Sequence, residues 1–177
     1  MKRRRLLAAV FTSVAGFAGC LSNAKEQETP TTASTPLSEY GCPPSNSLAE
    51  PAICSHTVDT SSTSVYLLPS ETTGDTPAGT VELTLHNDSP TELEFNPYEW
   101  SILTKVSSGW EAIEGNSSGN GRLILSPDDT QTWAFDEVVG FINESVTVDS
   151  GTYVAGIRVP NPETSDWVRC IALFRLG

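Results

Sequence analysis

Histidine, lysine and methionine are nearly missing from this sequence: its 177 residues include two histidines, three lysines and one methionine. A metal centre needs several His, Cys or carboxylate ligands at workable spacings. Neither H-x-x-H nor C-x-x-C occurs, and His56 and His86 fall in a predicted loop and on the polar face of a predicted strand. A copper site from His56, His86 and Cys170 is the one combination on offer. Such sites gather their ligands on a loop near the last strands, yet no His or Met follows Cys170. Also missing are the G-x-S-x-G elbow, the Walker loop and the dinucleotide fingerprint. The sequence therefore predicts no metal site, no cofactor and no enzyme. Long apolar runs are absent too. Leu6 to Phe17 is interrupted by Thr12 and Ser13, and it falls short of the roughly 20 apolar residues of a spanning helix.

Positive charge is the next shortage. Ten Lys and Arg face 22 Asp and Glu, a net charge of −12. Four of the bases (Lys2, Arg3, Arg4 and Arg5) precede the apolar run and no acid does, so losing that segment leaves 22 acids against 6 bases, or −16. A field of that sign repels nucleic acid and anionic membrane surfaces, which excludes both as partners. An acid-rich, lysine-poor composition with many Thr, Ser and Asp resembles proteins of halophilic archaea, in which high salt screens the self-repulsion.

What is present at the N-terminus reads as a set of export signals. A basic start and a short apolar core make residues 1–19 a secretory signal peptide. Arg3-Arg4-Arg5-Leu6-Leu7 resembles the twin-arginine export motif, whose route carries folded proteins; a Sec signal that happens to hold three arginines is the alternative. Phe17-Ala18-Gly19-Cys20 resembles a lipobox, where prokaryotic lipoproteins are cut and acylated, against a plain cleavage site with a chance Cys. A diacylglyceryl group on Cys20 supplies two chains, and two chains hold a membrane where one holds it only marginally. Residues 20–39 then read as the lipidated Cys and a disordered Thr/Ser/Pro-rich tether with almost nothing to bury. The expected location is the extracellular face of the cell membrane.

With Cys20 assigned to lipid, Cys42, Cys54 and Cys170 remain. Three cysteines cannot all pair within one chain, and outside the cell a bridge is chemically allowed. Cys42 and Cys54 stand twelve positions apart in a loop-rich lead-in, residues 40–62, bent by Pro43-Pro44 and Pro51. Their pairing is the favoured one, with Cys170 a buried thiol acting as a small hydrophobe. Cys54 with Cys170 is the rival, since spacing does not fix connectivity.

From residue 63 to 177 the hydrophobic period is two, the strand period. Val81, Leu83 and Leu85 alternate with Glu82, Thr84 and His86. Trp100, Ile102 and Val106 share one parity, as do Trp133 and Phe135, and Tyr153, Ala155, Ile157 and Val159 form the longest series. Cys170 to Phe174 is apolar on both parities, as in a central strand covered on both faces. Asn/Gly/Pro turns separate the runs, and only Phe135 to Asn143 reads as a short helix. The sum is an all-β, antiparallel β-sandwich of one domain.

Four stretches in this order resemble a prokaryotic immunoglobulin-like domain family found in lipoproteins. They are Val81–Asn87 ending in a polar turn, Gly109-Trp110-Glu111-Ala112-Ile113, Leu125-Ser126-Pro127 leading to Thr132-Trp133-Ala134-Phe135, and Gly151-Thr152-Tyr153-Val154-Ala155. The resemblance covers about Val65 to Leu176, implies an immunoglobulin-like β-sandwich and names no catalytic residue. The Cys-Trp-Cys core of antibody domains is not matched.

A binding surface is sought among Trp100, Trp110, Trp133 and Trp167, although inward strand positions usually build the core. Asn87, Asn116 and Asn143 each head an N-x-Ser sequon in a predicted turn and are candidate glycosylation sites; Pro90 follows the Ser of the first. The expected function is a non-enzymatic binding or structural role in the cell envelope, toward an envelope protein or glycan. A protease-inhibitor-like module presenting the Asn116–Gly121 loop is the alternative, and that loop's Gly/Ser/Asn content predicts less stiffness than an inhibitor needs.

Overall fold

Alternating side chains on short strands generate the architecture. The computed structural model describes residues 35–43, 51–73, 80–115 and 119–177, and Thr35–Gly177 forms one compact unit. Ten strands occur among the described residues: β1 (Ala52–Cys54), β2 (Val65–Pro69), β3 (Glu82–Asn87), β4 (Leu93–Phe95), β5 (Trp100–Val106), β6 (Gly109–Ala112), β7 (Leu123–Leu125), β8 (Thr130–Ala134), β9 (Gly151–Pro160) and β10 (Trp167–Leu176). They form a five-stranded sheet of order β1-β10-β9-β5-β6, a three-stranded sheet β2-β3-β8 and a β4-β7 pair. Neighbours are antiparallel throughout, except that β1 runs parallel to β10.

One core joins these layers. Leu67 from β2, Leu83 and Leu85 from β3, Ile102 from β5, Ala155 and Ile157 from β9, and Cys170 and Phe174 from β10 pack into one cluster with the helix α1 (Phe135–Ile142). The protein is thus all-β and sandwich-like. At one corner Phe135 meets the rings of Tyr153 and Phe174, and the Tyr153 hydroxyl donates to Asp149 O at 2.9 Å.

Local chemistry sets the connections. β5 turns into β6 through Ser107-Ser108, and Gly109 takes a φ of 144°, a value L side chains rarely adopt. Asn87, fully buried, ends β3 and ties it to the strand β7 beyond: its Nδ2 donates to the carbonyls of Thr91, Leu125 and Ser126. Its Oδ1 accepts from Ser89 N and Oγ.

Three details differ from the sequence reading. Phe135 does not continue the strand of Trp133. It opens α1, where Phe135, Val138 and Val139 share the buried face at helical spacing while Phe141 points out. The lead-in at 40–62 is not all loop, since β1 completes an edge of the main sheet; three residues are too few to show a period. Composition also placed residues 35–39 in the tether. They belong to the compact unit, where a 3-10 turn at Leu37–Glu39 buries Leu37.

That turn begins a strap, residues 35–43, across the outer face of the main sheet. Leu37, Cys54, Leu103, Val154, Ile171 and Leu173 form a second apolar cluster, flanked by Tyr40 and Trp110. The strap is held at three points. Arg175 Nη2 donates to Thr35 O at 2.7 Å, His56 Nε2 lies 2.8 Å from Tyr40 O, and Cys42 is disulfide-bonded to Cys54. This second layer is why β10 is apolar on both parities.

Candidate functional site

Four large apolar side chains are exposed among the described residues: Tyr98, Ile124, Phe141 and Trp167. A chain of contacts joins three of them. Phe141, on the outward face of α1, meets Tyr98 edge-on with ring centroids 5.3 Å apart. Glu99, the next residue, lies 3.5 Å from Arg158 Nη1 on β9. The Arg158 guanidinium in turn sits 4.3 Å from the centre of the Trp167 ring, at the start of β10. Beside it, Arg169 Nη1 donates to Ser101 Oγ at 3.0 Å.

The loop at 119–121 is packed onto this surface by side-chain chemistry. Asn96 Nδ2 donates to Gly119 O at 2.8 Å, and Asn96 Oδ1 accepts from Gly121 N and Tyr98 N, each at 3.1 Å. A side chain at position 119 or 121 would enter the Tyr98 ring, its Cβ meeting ring atoms at 2.8 or 2.7 Å. These glycines permit close packing rather than supplying slack. Residues 116–118, with the sequon residue Asn116, lie outside the described residues. A cleft of about 380 Å³ opens between β5, the end of β6 and α1, lined by Trp100, Ile113 and Ile142 among others.

The other tryptophans are structural. Trp100 is buried, donates Nε1–H to Pro97 O at 2.9 Å and meets Trp133 edge-on. Trp110 lies on the strap side, 5.9 Å from the Tyr40 ring and under Lys105. Only Trp167 of the four is exposed.

The three residues weighed for copper occupy different surroundings. His56 holds the strap, and His86 stacks on Tyr66 with centroids 4.7 Å apart. Cys170 is free and fully buried in the core, where burial pushes its thiol up to about 12. No group of three or more His, Cys, Asp or Glu among the described residues is placed to hold a metal ion.

Of the sequons, Asn87 has its Nδ2 buried and committed to three carbonyls, so the folded chain offers no amide there for a glycan. Asn143 caps the end of α1, its Nδ2 donating to Glu114 O at 3.1 Å near the surface. Arg3, Arg4, Arg5 and Cys20 lie outside the described residues. Among the described residues no helix is long and apolar enough to cross a membrane. The sequence matches no protein-family model, and no curated protein is significantly similar to it.

Proposed function

We propose that this chain is a lipid-anchored module on the extracellular face of the cell membrane, whose immunoglobulin-like sandwich binds an envelope protein or glycan without catalysing a reaction. The observation that carries the binding role is the contact chain from Phe141 through Tyr98, Glu99 and Arg158 to Trp167. It strings three exposed aromatic rings along one series of contacts. Aromatic residues and arginine are the side chains enriched where proteins recognise partners.

Two features support the immunoglobulin-like reading. The order β6-β5-β9-β10 facing β2-β3-β8 is that of the C′-C-F-G and A-B-E strands of immunoglobulin domains. Tyr153, near the start of the strand in the F position, bonds back to Asp149 O as the tyrosine corner does. Two residues later, where antibody domains carry the second cysteine, stands the buried Ala155. The anchor rests on the lipobox ending in Cys20 and on the basic, twin-arginine-like start at Arg3, Arg4 and Arg5.

Membrane fractionation tests the anchor. Cys20→Ser releases the protein to the medium or stalls its processing, and a variant that fractionates like wild type overturns the lipoprotein reading. Changing Arg3, Arg4 and Arg5 to Lys blocks export, because the twin-arginine receptor reads guanidinium groups; normal export of that variant assigns the Sec route. Crosslinking in intact envelopes tests the binding role: Tyr98→Ala and Trp167→Ala each abolish the adduct that Ile124→Ala retains. An adduct unchanged by all three puts the binding surface elsewhere.

A second reading, a protease-inhibitor-like module, is favoured by the Asn96 clamp on Gly119 and Gly121, since inhibitor loops need preorganisation. Inhibition of a protease panel that Asn96→Ala destroys would select it.

A further inference from the structure

Asn120-Gly121 is the single Asn-Gly step among the 177 residues. The amide carbon of an asparagine side chain lies within reach of the backbone nitrogen that follows it, and closure between the two makes a five-membered imide. A side chain on the following residue crowds that approach, and glycine has none. Asn120 is exposed on the loop ahead of β7. Packing also requires glycine at 121, since a Cβ there would meet the Tyr98 ring at 2.7 Å and Pro97 at 3.0 Å. The close seat on Tyr98 therefore brings a chemically weak step with it.

Asn96 is placed around that step. Its Nδ2 donates to Gly119 O at 2.8 Å and its Oδ1 accepts from Gly121 N at 3.1 Å, so one side chain holds the peptide groups on both sides of Asn120. Tyr98 N donates to the same Oδ1 and keeps the clamp in position. Before a ring can close, the Gly121 nitrogen must give up its proton and swing toward the Asn120 side chain. Held on Asn96 Oδ1, it is restrained in both respects. Asn96 is itself safe from the same reaction, because Pro97 follows it and a proline nitrogen has no proton to give.

We propose that Asn120-Gly121 is a self-modification site whose rate Asn96 sets. The Gly121 nitrogen attacks Asn120 Cγ, a C–N bond forms and the Cγ–Nδ2 bond breaks. The side-chain nitrogen leaves as ammonia, taking through solvent the proton that Gly121 gave up. Water then opens the succinimide at either carbonyl. One opening gives aspartate; the other leaves the backbone running through Cγ, as isoaspartate. The sum consumes water, releases ammonia and changes no oxidation state. Either product adds a negative charge to the −12 of the chain. Isoaspartate also lengthens the backbone by a carbon between Gly119 and Gly121, whose placement the clamp and the Tyr98 ring fix. The altered loop loses its seat, and Tyr98 with its edge contact to Phe141 is released. The reaction needs no partner and stands apart from the binding role proposed above.

The test incubates the full-length protein in detergent at mildly alkaline pH. The Asn120 peptide is followed by mass spectrometry, with fragmentation that separates aspartate from isoaspartate. Folded wild type converts slowly and yields both isomers, and wild type unfolded in guanidinium chloride converts at least tenfold faster. Asn96→Ala speeds conversion of the folded protein at least fivefold and leaves the unfolded rate unchanged. Asn96→Asp, which keeps an oxygen for Gly121 N, falls between Asn96→Ala and wild type. Near-UV circular dichroism like that of wild type shows that each variant is folded. Should Asn96→Ala not fold, Asn96→Asp and the ratio of folded to unfolded rates in wild type decide. Equal folded and unfolded rates, a folded Asn96→Ala no faster than wild type, or aspartate without isoaspartate overturns the proposal.

Discussion

The phenol of Tyr153 donates its proton to the carbonyl of Asp149, 2.9 Å away and four residues back. One bond thereby fixes how the chain enters β9, the strand on which the main sheet is centred. Tyr153→Phe keeps the ring against Phe135 and Phe174 and removes that bond together with the hydroxyl's hydrogen bond to Thr104. It lowers unfolding free energy by about 1–2 kcal/mol, each such hydrogen bond contributing about 1. Urea denaturation checks this, and an unchanged midpoint would strip the corner of its structural role.

Asn87 carries more. Its amide satisfies three carbonyls and its oxygen holds Ser89. Asn87→Ala leaves buried carbonyls unpaired and costs about 3 kcal/mol. The same geometry predicts that intact-mass and glycopeptide analysis of native protein finds no glycan at Asn87; one found there would mean that the chain is modified before this corner closes.

Non-reducing peptide mapping recovers a Cys42–Cys54 peptide, and the Cys170 thiol labels only after unfolding. Closing this short loop stabilises the fold by about 3 kcal/mol in the chain-entropy account, so Cys42→Ser lowers the melting temperature. It also loosens the strap, and binding of an apolar dye at the outer face rises. A Cys54–Cys170 peptide would refute the pairing.

Stability falls in alkali, and the sign follows from two buried groups. Burial raises the Cys170 thiol from 9.0 to about 12. Burial, and then its hydrogen bond to Asp88, raises Tyr66 from 10.0 to about 12. A raised value means that the stabilisation is whole below the unfolded value and is lost as pH climbs toward the folded one. The Cys170 share disappears between about pH 9 and 12, a loss of up to about 4 kcal/mol. Cys170→Ala flattens the profile from pH 9 to 10, whatever it costs at neutral pH. A parallel, unflattened curve would show that the thiol does not report burial.

Period two made most strands legible: Leu83 and Leu85, Tyr153 to Val159, and the doubly apolar run at Cys170 to Phe174 all point where alternation says. The helix at Phe135–Ile142 was in view as the one segment read as helical, although Phe135 also shared the strand parity of Trp133. β1 was not, because three residues with a single parallel partner, over a hundred positions along the chain, leave no local trace. The strap was masked by its composition, since Leu37 and Tyr40 are its only large apolar side chains among Thr, Ser and Pro. The candidate site was legible only in part. Trp167 was in view as one of four, but its neighbours Arg158 and Arg169 acquire meaning only from the β9–β10 register, and Tyr98 with Phe141 only from a contact across 43 positions.

If the chain is tethered at Cys20, the strap becomes a mechanical element. A tug on the membrane side enters the domain at Thr35 and first meets Arg175, then Leu37 and Tyr40, contacts that peel one at a time. Peeling stops at Cys42, where the covalent bond to Cys54 hands the load to β1. There the strain runs along a ladder parallel to β10, so several hydrogen bonds must shear together. Strands β9 and β10 would then hold their shape while the strap stretches. In force spectroscopy the oxidised protein would give only a short early extension, and its reduced form a longer one.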